Sequence, residues 1–424
     1  MKQQMARKQR VLVVGQHYWP EPFRVTDVCE GLVERGYEVD VLCGIPNYPA
    51  GRFFDGYSLT GPRVQRHNGV RIFRAWEVPR GGGSMLRIAL NFISWPICAC
   101  LWLPFLLTQR YDRVLCYQLS PVFMTLPGIV YAKIKHVPLM IVVCDFWPHS
   151  LFSIIPFRSR LLTRFMTSFS YWFYRRADNV VGVFKGIQDR MISDVGIPRQ
   201  RTLYIPQWPE KLYDSRDHDE MLESRFQGRF NIVFAGNINP AQSFETVIAA
   251  VKMAVTDCPA LNIIVIGDGM SKRWLVDEVS ASGLRDYFTF EGLRPTEDIP
   301  KWQSLADAMI VCLSKSDLFE YGIPAKVNSY LAGGKPIIGA MDGEGKRLIN
   351  EYADAGLCVD AEDSEGLAAA ITTIYHMDAE ERSRLGENGM RYHRAHFDRD
   401  TNLDRLERFL FGHGRMVDTE YPDE

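Results

Sequence analysis

A chain of 424 residues is longer than one hydrophobic core usually serves, and it suits two domains of ordinary size. Its 46% hydrophobic and 24% charged residues describe a globular protein, and a formal net charge of −2 supplies no global basic field for nucleic acid. Nine cysteines lie mostly inside apolar runs with no Cys-x-x-Cys pair, which favours buried thiols in a reducing cytosol over a metal site.

Residues 1–10 are basic and run straight into a strand without the apolar core of a signal peptide, so they read as a cytoplasmic tail. Residues 11–15 read as a buried parallel strand, and Gly15, Gln16 and His17 open the loop at its carboxyl end. A helix from about Thr26 to Gly36 and a strand over 37–43 complete a βαβ unit with a right-handed crossover. The unit lacks Gly-x-Gly-x-x-Gly, so no nicotinamide site is indicated. Two loop segments, Pro20-Glu-Pro-Phe-Arg-Val-Thr-Asp27 and Gly44-Ile-Pro-Asn-Tyr-Pro-Ala-Gly51, lie at strand ends, where doubly wound folds bind ligands. His17 can touch a sugar or a phosphate there, or serve as an ordinary loop histidine.

Residues 70–76 alternate like a strand, and 79–84 form a glycine-rich loop. The segment 88–107 then runs for twenty residues without a charge, long enough to span a bilayer. Asn91, Pro96 and Pro104, and the strands on both sides that belong to one sheet, favour instead a helix partly buried and partly laid on the membrane. From 146 to 177 there is no Asp or Glu. Arg158, Arg160, Arg164, Arg175 and Arg176 alternate there with Phe152, Phe157, Phe165, Phe169, Trp172 and Phe173. Such a pattern suits an anionic lipid surface, or a core-packed helix with a solvated basic face. Two strands, over 113–118 and 138–144, end in Gln118 and Ser120 and in Asp145-Phe-Trp-Pro148. Asp145 can orient or deprotonate an acceptor hydroxyl, or cap the helix after it.

Strands over 179–183 and 202–205 close the first sheet, and Pro206-Gln-Trp-Pro209 with the charged run through Asp219 reads as a linker. We therefore expect an N-terminal domain over 1–208 and a second over 209–397. Strands over 230–235, 261–266, 287–292, 308–313 and 335–339 alternate with helices, and several end in glycines that let phosphate or ribose approach the backbone. The central stretch is Tyr321-Gly-Ile-Pro-Ala-Lys-Val-Asn-Ser-Tyr-Leu-Ala-Gly-Gly-Lys-Pro336. Pro324 suits a helix start, Gly333-Gly334 its end, and Gly343-Glu-Gly345 a second helix start. Two helix N-termini at strand ends form a setting for a diphosphate. Residues 362–389 should make two helices, and 398–412 a final amphipathic one.

The succession Ala-Gly-Asn237, Gly-Asp-Gly269, Glu-Gly292, Pro-x-Lys326, Gly-Lys-Pro336 and Gly-Glu-Gly345, with the two N-terminal loops and Asp145-x-Trp-Pro148, resembles the family-4 glycosyltransferases over residues 10–410. It is most similar to a bacterial surface-polysaccharide branch that includes fucosamine (L-FucNAc) transferases. The resemblance implies an α/β protein of GT-B architecture. Two Rossmann-like, doubly wound domains would face each other across a cleft, with the C-terminal helix crossing back to the N-domain.

It also implies retaining transfer of a sugar from a nucleotide-diphosphate donor, UDP-linked and of the N-acetylated deoxy-sugar kind, to a lipid-linked saccharide in O-antigen, capsule or exopolysaccharide synthesis. The first domain would bind the acceptor near Gly15, Arg24 and Asn47. Gly236 and Asn237, with Gly267 and Gly269, would face the diphosphate. Gly292 and Arg294 would border the base, Lys326 would pair with phosphate, and Gly343, Glu344 and Gly345 would lie near ribose or sugar. Most of the family carries two glutamates seven residues apart, and the aligned positions here are Tyr321 and Ser329. Asn328 and Ser329 approximate the branch's Gln-Ser. Glu320 becomes the candidate for contact with the sugar, or else a solvated loop acid. His17, Asp145 and Glu320 are the catalytic candidates, with no metal and no cofactor expected. The expected site is the cytoplasmic leaflet of the inner membrane, touched peripherally through 88–107 and 152–176. An epimerase of the same fold and an inactive donor-binding subunit are the rival readings.

Overall fold

The computed structural model describes residues 7–81, 84–152, 159–209, 219–316 and 322–412, and they divide into two compact units. The first comprises 7–206 together with 400–412, and the second 207–399.

The first unit is built on eight strands: β1 (Arg10–Val14), β2 (Glu38–Cys43), β3 (Val64–His67), β4 (Val70–Arg74), β5 (Arg113–Gln118), β6 (Leu139–Val143), β7 (Asn179–Gly182) and β8 (Thr202–Tyr204). Their order is β3-β4-β2-β1-β5-β6-β7-β8, parallel except for the β3–β4 hairpin. Helices cover both faces, which is why β1 and β6 are apolar without alternation and almost wholly buried. The sequence reading did not include β3. Its Val-Gln-Arg-His run is polar and half exposed, as an edge strand must be.

The second unit has six parallel strands: β9 (Phe230–Ala235), β10 (Leu261–Ile266), β11 (Phe288–Gly292), β12 (Ala308–Cys312), β13 (Ile337–Ala340) and β14 (Gly356–Val359). The order β11-β10-β9-β12-β13-β14 reverses direction of growth between β9 and β12, as the first sheet does between β1 and β5. In open α/β sheets such switch points leave a crevice at the carboxyl ends. The four-residue β14 begins on a glycine and was also not anticipated.

The final helix, Arg399–Phe411, packs on the first sheet as predicted. Arg35 pairs with Asp404 at 2.8 Å, and the Tyr37 hydroxyl donates to Glu407 at 2.6 Å. The Tyr37 and Phe411 rings stack at 4.4 Å, and the Arg113 guanidinium donates to Leu410 O and Phe411 O.

The uncharged segment forms the helix Met85–Cys100, with Pro96 inside it, then a short helical turn, Leu103–Leu106. Together they are long and apolar enough to cross a membrane. Asn91, Trp95, Pro96, Ala99 and Leu106 nevertheless point into the first unit. Leu86, Leu90, Ile93, Ile97, Leu101 and Phe105 face outward; Leu86 is 70% exposed and Ile97 60%. The helix Arg160–Tyr174 likewise buries Ser170, Tyr171, Phe173 and Tyr174 and turns Leu161, Phe165 and Trp172 outward. Both helices pack against one 3-10 turn, Val122–Thr125. Phe157 and Arg158 lie outside the described residues.

Candidate functional site

The second unit gathers most of the predicted donor residues at its switch point. β9 ends at Ala235, whose N–H donates to the Tyr330 hydroxyl at 3.1 Å, while that hydroxyl donates to Ala235 O at 3.3 Å. Tyr330 lies on the helix Ala325–Gly333, so this exchange ties the helix to the strand end. Gly236 follows with φ +149°, and a Cβ there would sit 3.1 Å from Lys326 Nζ. Gly267 is closed over Gly236, for a Cβ on it would strike Gly236 O at 1.9 Å. Gly269 is similarly packed against Ile238 O and Asn237 Oδ1. Gly292, whose carbonyl accepts from Gly267 N–H at 2.8 Å, ends β11 beside them. Close backbone approach therefore requires glycine at 267 and 269, while a positive φ favours it at 236 and 292, and together they leave amide-lined loops over which Lys326 reaches.

Lys326 occupies the first turn of the helix Ala325–Gly333, which Gly334 ends at φ +66°. Its Nζ lies 3.9 Å over the Phe234 ring and donates to Gln242 Oε1 at 2.5 Å. The residue keeps some exposed surface, but its amine is withdrawn from water, and desolvation pushes its pKa down to about 7. Gly343 begins the next helix, Gly343–Arg347, at φ +72°. A Cβ on Gly345 would meet Met341 Sδ at 2.5 Å and Pro324 Cδ at 3.3 Å, so the starts of the two helices are packed together. Both expected N-termini are thus adjacent.

Other residues expected to bind the donor are differently engaged. Glu344 pairs with Arg347 at 2.6 Å, and Arg294 with Glu291 at 2.6 Å, where Arg225 also binds. Asn328 is buried and donates to Gln207 O at 2.7 Å, with its Oδ1 unpartnered. The Ser329 hydroxyl donates back to Lys326 O at 2.9 Å. Glu320 lies outside the described residues, as does Tyr321.

At the switch point of the first unit, Gly15 follows β1 against Tyr117 of β5, and His17 is buried in the loop beyond. His17 Nδ1 meets Glu21 Oε2 at 2.9 Å, while Glu21 Oε1 accepts the N–H groups of Asn47 and Tyr48 at 2.8 and 2.7 Å. A carboxylate accepts, so the ring donates from Nδ1 and turns Nε2 to the other side. Asn47 is itself fixed, donating to Ile45 O and accepting from Arg80 N–H. Arg24 is half-buried at the start of the helix Val25–Glu34. Asp145, beyond β6, accepts from the Ser120 hydroxyl at 2.6 Å, and Ser120 Oγ accepts from Trp147 Nε1 at 2.9 Å. The carboxyl edge of this sheet thus carries His17 on the β1 loop and Asp145 on the β6 loop. Among the described residues the Asp145 side chain bonds Ser120 and not the N–H groups of the helix His149–Phe152.

Sequence reasoning missed several groups. Glu21 was legible only as the residue four beyond His17. Gln242 sits in the 3-10 turn Pro240–Gln242, whose side chains no pattern assigns. Gln16, Glu77 and Asn91 form a buried cluster, Gln16 Nε2 donating to Glu77 Oε2 at 2.6 Å and to Asn91 Oδ1 at 2.9 Å. Desolvation raises the Glu77 carboxyl well above its ordinary value.

Residues 23–208 match the family described as Glycosyl transferase 4-like domain, and residues 219–392 match Glycosyl transferases group 1; together they take in most of the chain. No curated protein matches the chain significantly. Among solved structures, Anabaena HepE in complex with UDP and glucose is similar at 16% identity and TM-score 0.67, over 95% of this chain and all of that one. Sucrose-phosphate synthase from Thermosynechococcus elongatus is similar at 16% identity and TM-score 0.71, over 96% of this chain and 100% of that one. WaaG, a glycosyltransferase involved in lipopolysaccharide biosynthesis, is similar at 12% identity and TM-score 0.64, over 95% and 100%. At such identities the structures speak to fold, and the two families speak to membership. The chain belongs to the family-4 glycosyltransferases of GT-B fold, with a Glycosyl transferase 4-like domain preceding a Glycosyl transferases group 1 domain.

Proposed function

We propose that the protein transfers a sugar, with retention, from a UDP-linked donor to a lipid-linked saccharide during assembly of a bacterial surface polysaccharide. The observation that carries the donor half is the meeting of Gly236, Lys326 and the starts of the helices Ala325–Gly333 and Gly343–Arg347 at one switch point. Bare amides, a helix N-terminus and an amine suit a diphosphate whose charge grows as the glycosidic bond breaks. In this reading no metal is needed, because Lys326 and the amides meet that charge. HepE in complex with UDP, similar in fold, supports the choice of base.

The acceptor half rests on His17 and Asp145. His17, oriented by Glu21 through Nδ1, and Asp145, held by Ser120, would orient an acceptor hydroxyl. The leaving phosphate takes the hydroxyl proton as the new bond forms on the face it vacates. Membrane contact is supported by the outward apolar stripe of the helix Met85–Cys100 and the arginine-bearing helix Arg160–Tyr174, both packed on Val122–Thr125. An anionic leaflet meets both the stripe and the charge.

The test is incubation of the protein with UDP-sugars, with and without lipid extracts of a polysaccharide-producing bacterium. Transfer of label into lipid with the donor's anomeric configuration supports the proposal. Interconversion of the donor alone identifies an epimerase, and donor binding without turnover on any lipid-linked acceptor identifies a donor-binding subunit.

A further inference from the structure

Lys326 is an ammonium-forming group in a setting built for an amine. Its Nζ touches the Phe234 ring and the Gln242 carbonyl, and it faces the bare backbone of Gly236. The remaining ionisable neighbour is Cys312 at the end of β12, whose thiol burial holds protonated with a pKa of about 12. Among the described residues Lys326 forms no ion pair, and the nearby acid of the adjoining helix, Glu344, is engaged by Arg347. Asp317 and Glu320 lie outside the described residues. One amide oxygen and a ring face leave most of an ammonium's three N–H donors without an acceptor, and an ammonium withdrawn from water in this way is stabilised by an anion. The open glycine loop is where that anion would come from.

We propose that the diphosphate site takes up a proton together with its ligand, at Lys326, and that Gln242 is the positioning residue that holds the amine beside Gly236 until phosphate replaces it. This rests on the reading of the Gly236 loop as the donor diphosphate site. The step is an acid–base one: a buffer acid gives one proton to the Nζ lone pair as the diphosphate enters, and the ammonium returns it when the nucleoside diphosphate leaves. Burial pushes the free amine down to about 7, and a diphosphate against it would raise it again. Affinity is therefore complete below about pH 7 and weakens about tenfold per pH unit above it, until the bound ammonium itself titrates.

Calorimetric titration of the full-length protein with UDP or GDP, whichever binds, in pairs of buffers of different ionisation enthalpy counts the protons. At pH 8 the terminal phosphate is already ionised, its pKa being about 6, so it contributes none. We expect uptake of the larger part of one proton per nucleotide at pH 8. Lys326→Arg, charged throughout, retains binding with no uptake at pH 8. Gln242→Ala weakens binding severalfold with the proton count unchanged. Gln242→Glu supplies a carboxylate that keeps the lysine charged and abolishes the uptake. Binding without uptake by the wild type, or undiminished uptake by Lys326→Arg, overturns this inference and leaves the donor site standing. Absence of binding by UDP and GDP alike overturns the donor site and the inference with it.

Discussion

Lys326 carries a cost in the empty protein that follows from the same geometry. Its pKa lies near 7 in the folded chain and near 10.5 unfolded, so folding gives up a proton between those values. The destabilisation is complete below pH 7, shrinks as pH rises and is gone above 10.5. Lys326→Met removes the desolvated amine and leaves its apolar stem over Phe234. The variant should be more stable than the wild type by roughly 1 to 3 kcal/mol at pH 6 and equal to it near pH 10.5, while its nucleotide binding is lost. Thermal melts across pH, with and without UDP, check both halves. A wild type that gains nothing relative to Lys326→Met between pH 7 and 10 would mean the amine is solvated after all. The motif Pro-x-Lys made this residue visible in the sequence. Its depressed pKa was not visible, because Phe234, Gln242 and Cys312 reach it from segments 14 to 92 residues away.

Among the elements, the helix Met85–Cys100 departs furthest from ordinary amphipathicity, since its inward face holds Asn91 and its outward face holds Leu and Ile. Asn91 donates to Val78 O at 2.7 Å and to Glu77 at 3.0 Å, and Ser94 accepts from Val78 N–H, so polar bonds secure the helix to the segment that follows β4. The exposed stripe therefore does not hold the fold together. Ile93→Asp with Ile97→Asp should leave the melting temperature within a degree or two. Binding to vesicles containing phosphatidylglycerol should fall at least tenfold, since each isoleucine contributes on the order of 1 kcal/mol or more when buried in lipid. Sedimentation with such vesicles reads this directly, and unchanged binding removes the stripe from the membrane proposal. Raised salt should release the wild type only in part, because charge steers while apolar area anchors. The twenty uncharged residues gave this helix away, though not which side faced out. A run apolar on every side has no periodicity to read, and the inward side was decided by Asn91, Ser94 and the segment after β4 that they bond. The strands β3 and β14 escaped notice for the opposite reason. One is polar and at an edge, the other is four residues starting with glycine, and both exist because a neighbouring strand offers a ladder.

At the scale of the whole chain, the parallel strands were legible because buried βαβ strands read as apolar runs followed by glycine or polar turns. What could not be read from local pattern is that residues 400–412 rejoin the first sheet after the chain has built the second unit. That return is a matter of long-range packing. Leu403, Leu406, Phe409, Leu410 and Phe411 are all buried, and Arg35 and Tyr37 from the turn before β2, Arg113 from β5 and Asn179 from β7 bond to the helix. Each of those apolar side chains contributes about 1.5 to 3 kcal/mol on burial, so their sum rivals the 5 to 15 kcal/mol that holds an ordinary domain folded. The first unit should therefore depend on the last helix, and the second should not. A chain ending at residue 398 should lose the first unit's cooperative melting transition, or fall out of solution through its exposed sheet. If it stays soluble, it should keep a transition that UDP raises, because Gly236, Gln242 and Lys326 are all contributed by the second unit. Supplying residues 399–412 as a peptide should restore the lost transition. A truncated chain that melts in the full-length manner would show the helix to be dispensable, and the first unit to draw its stability from its own eight strands.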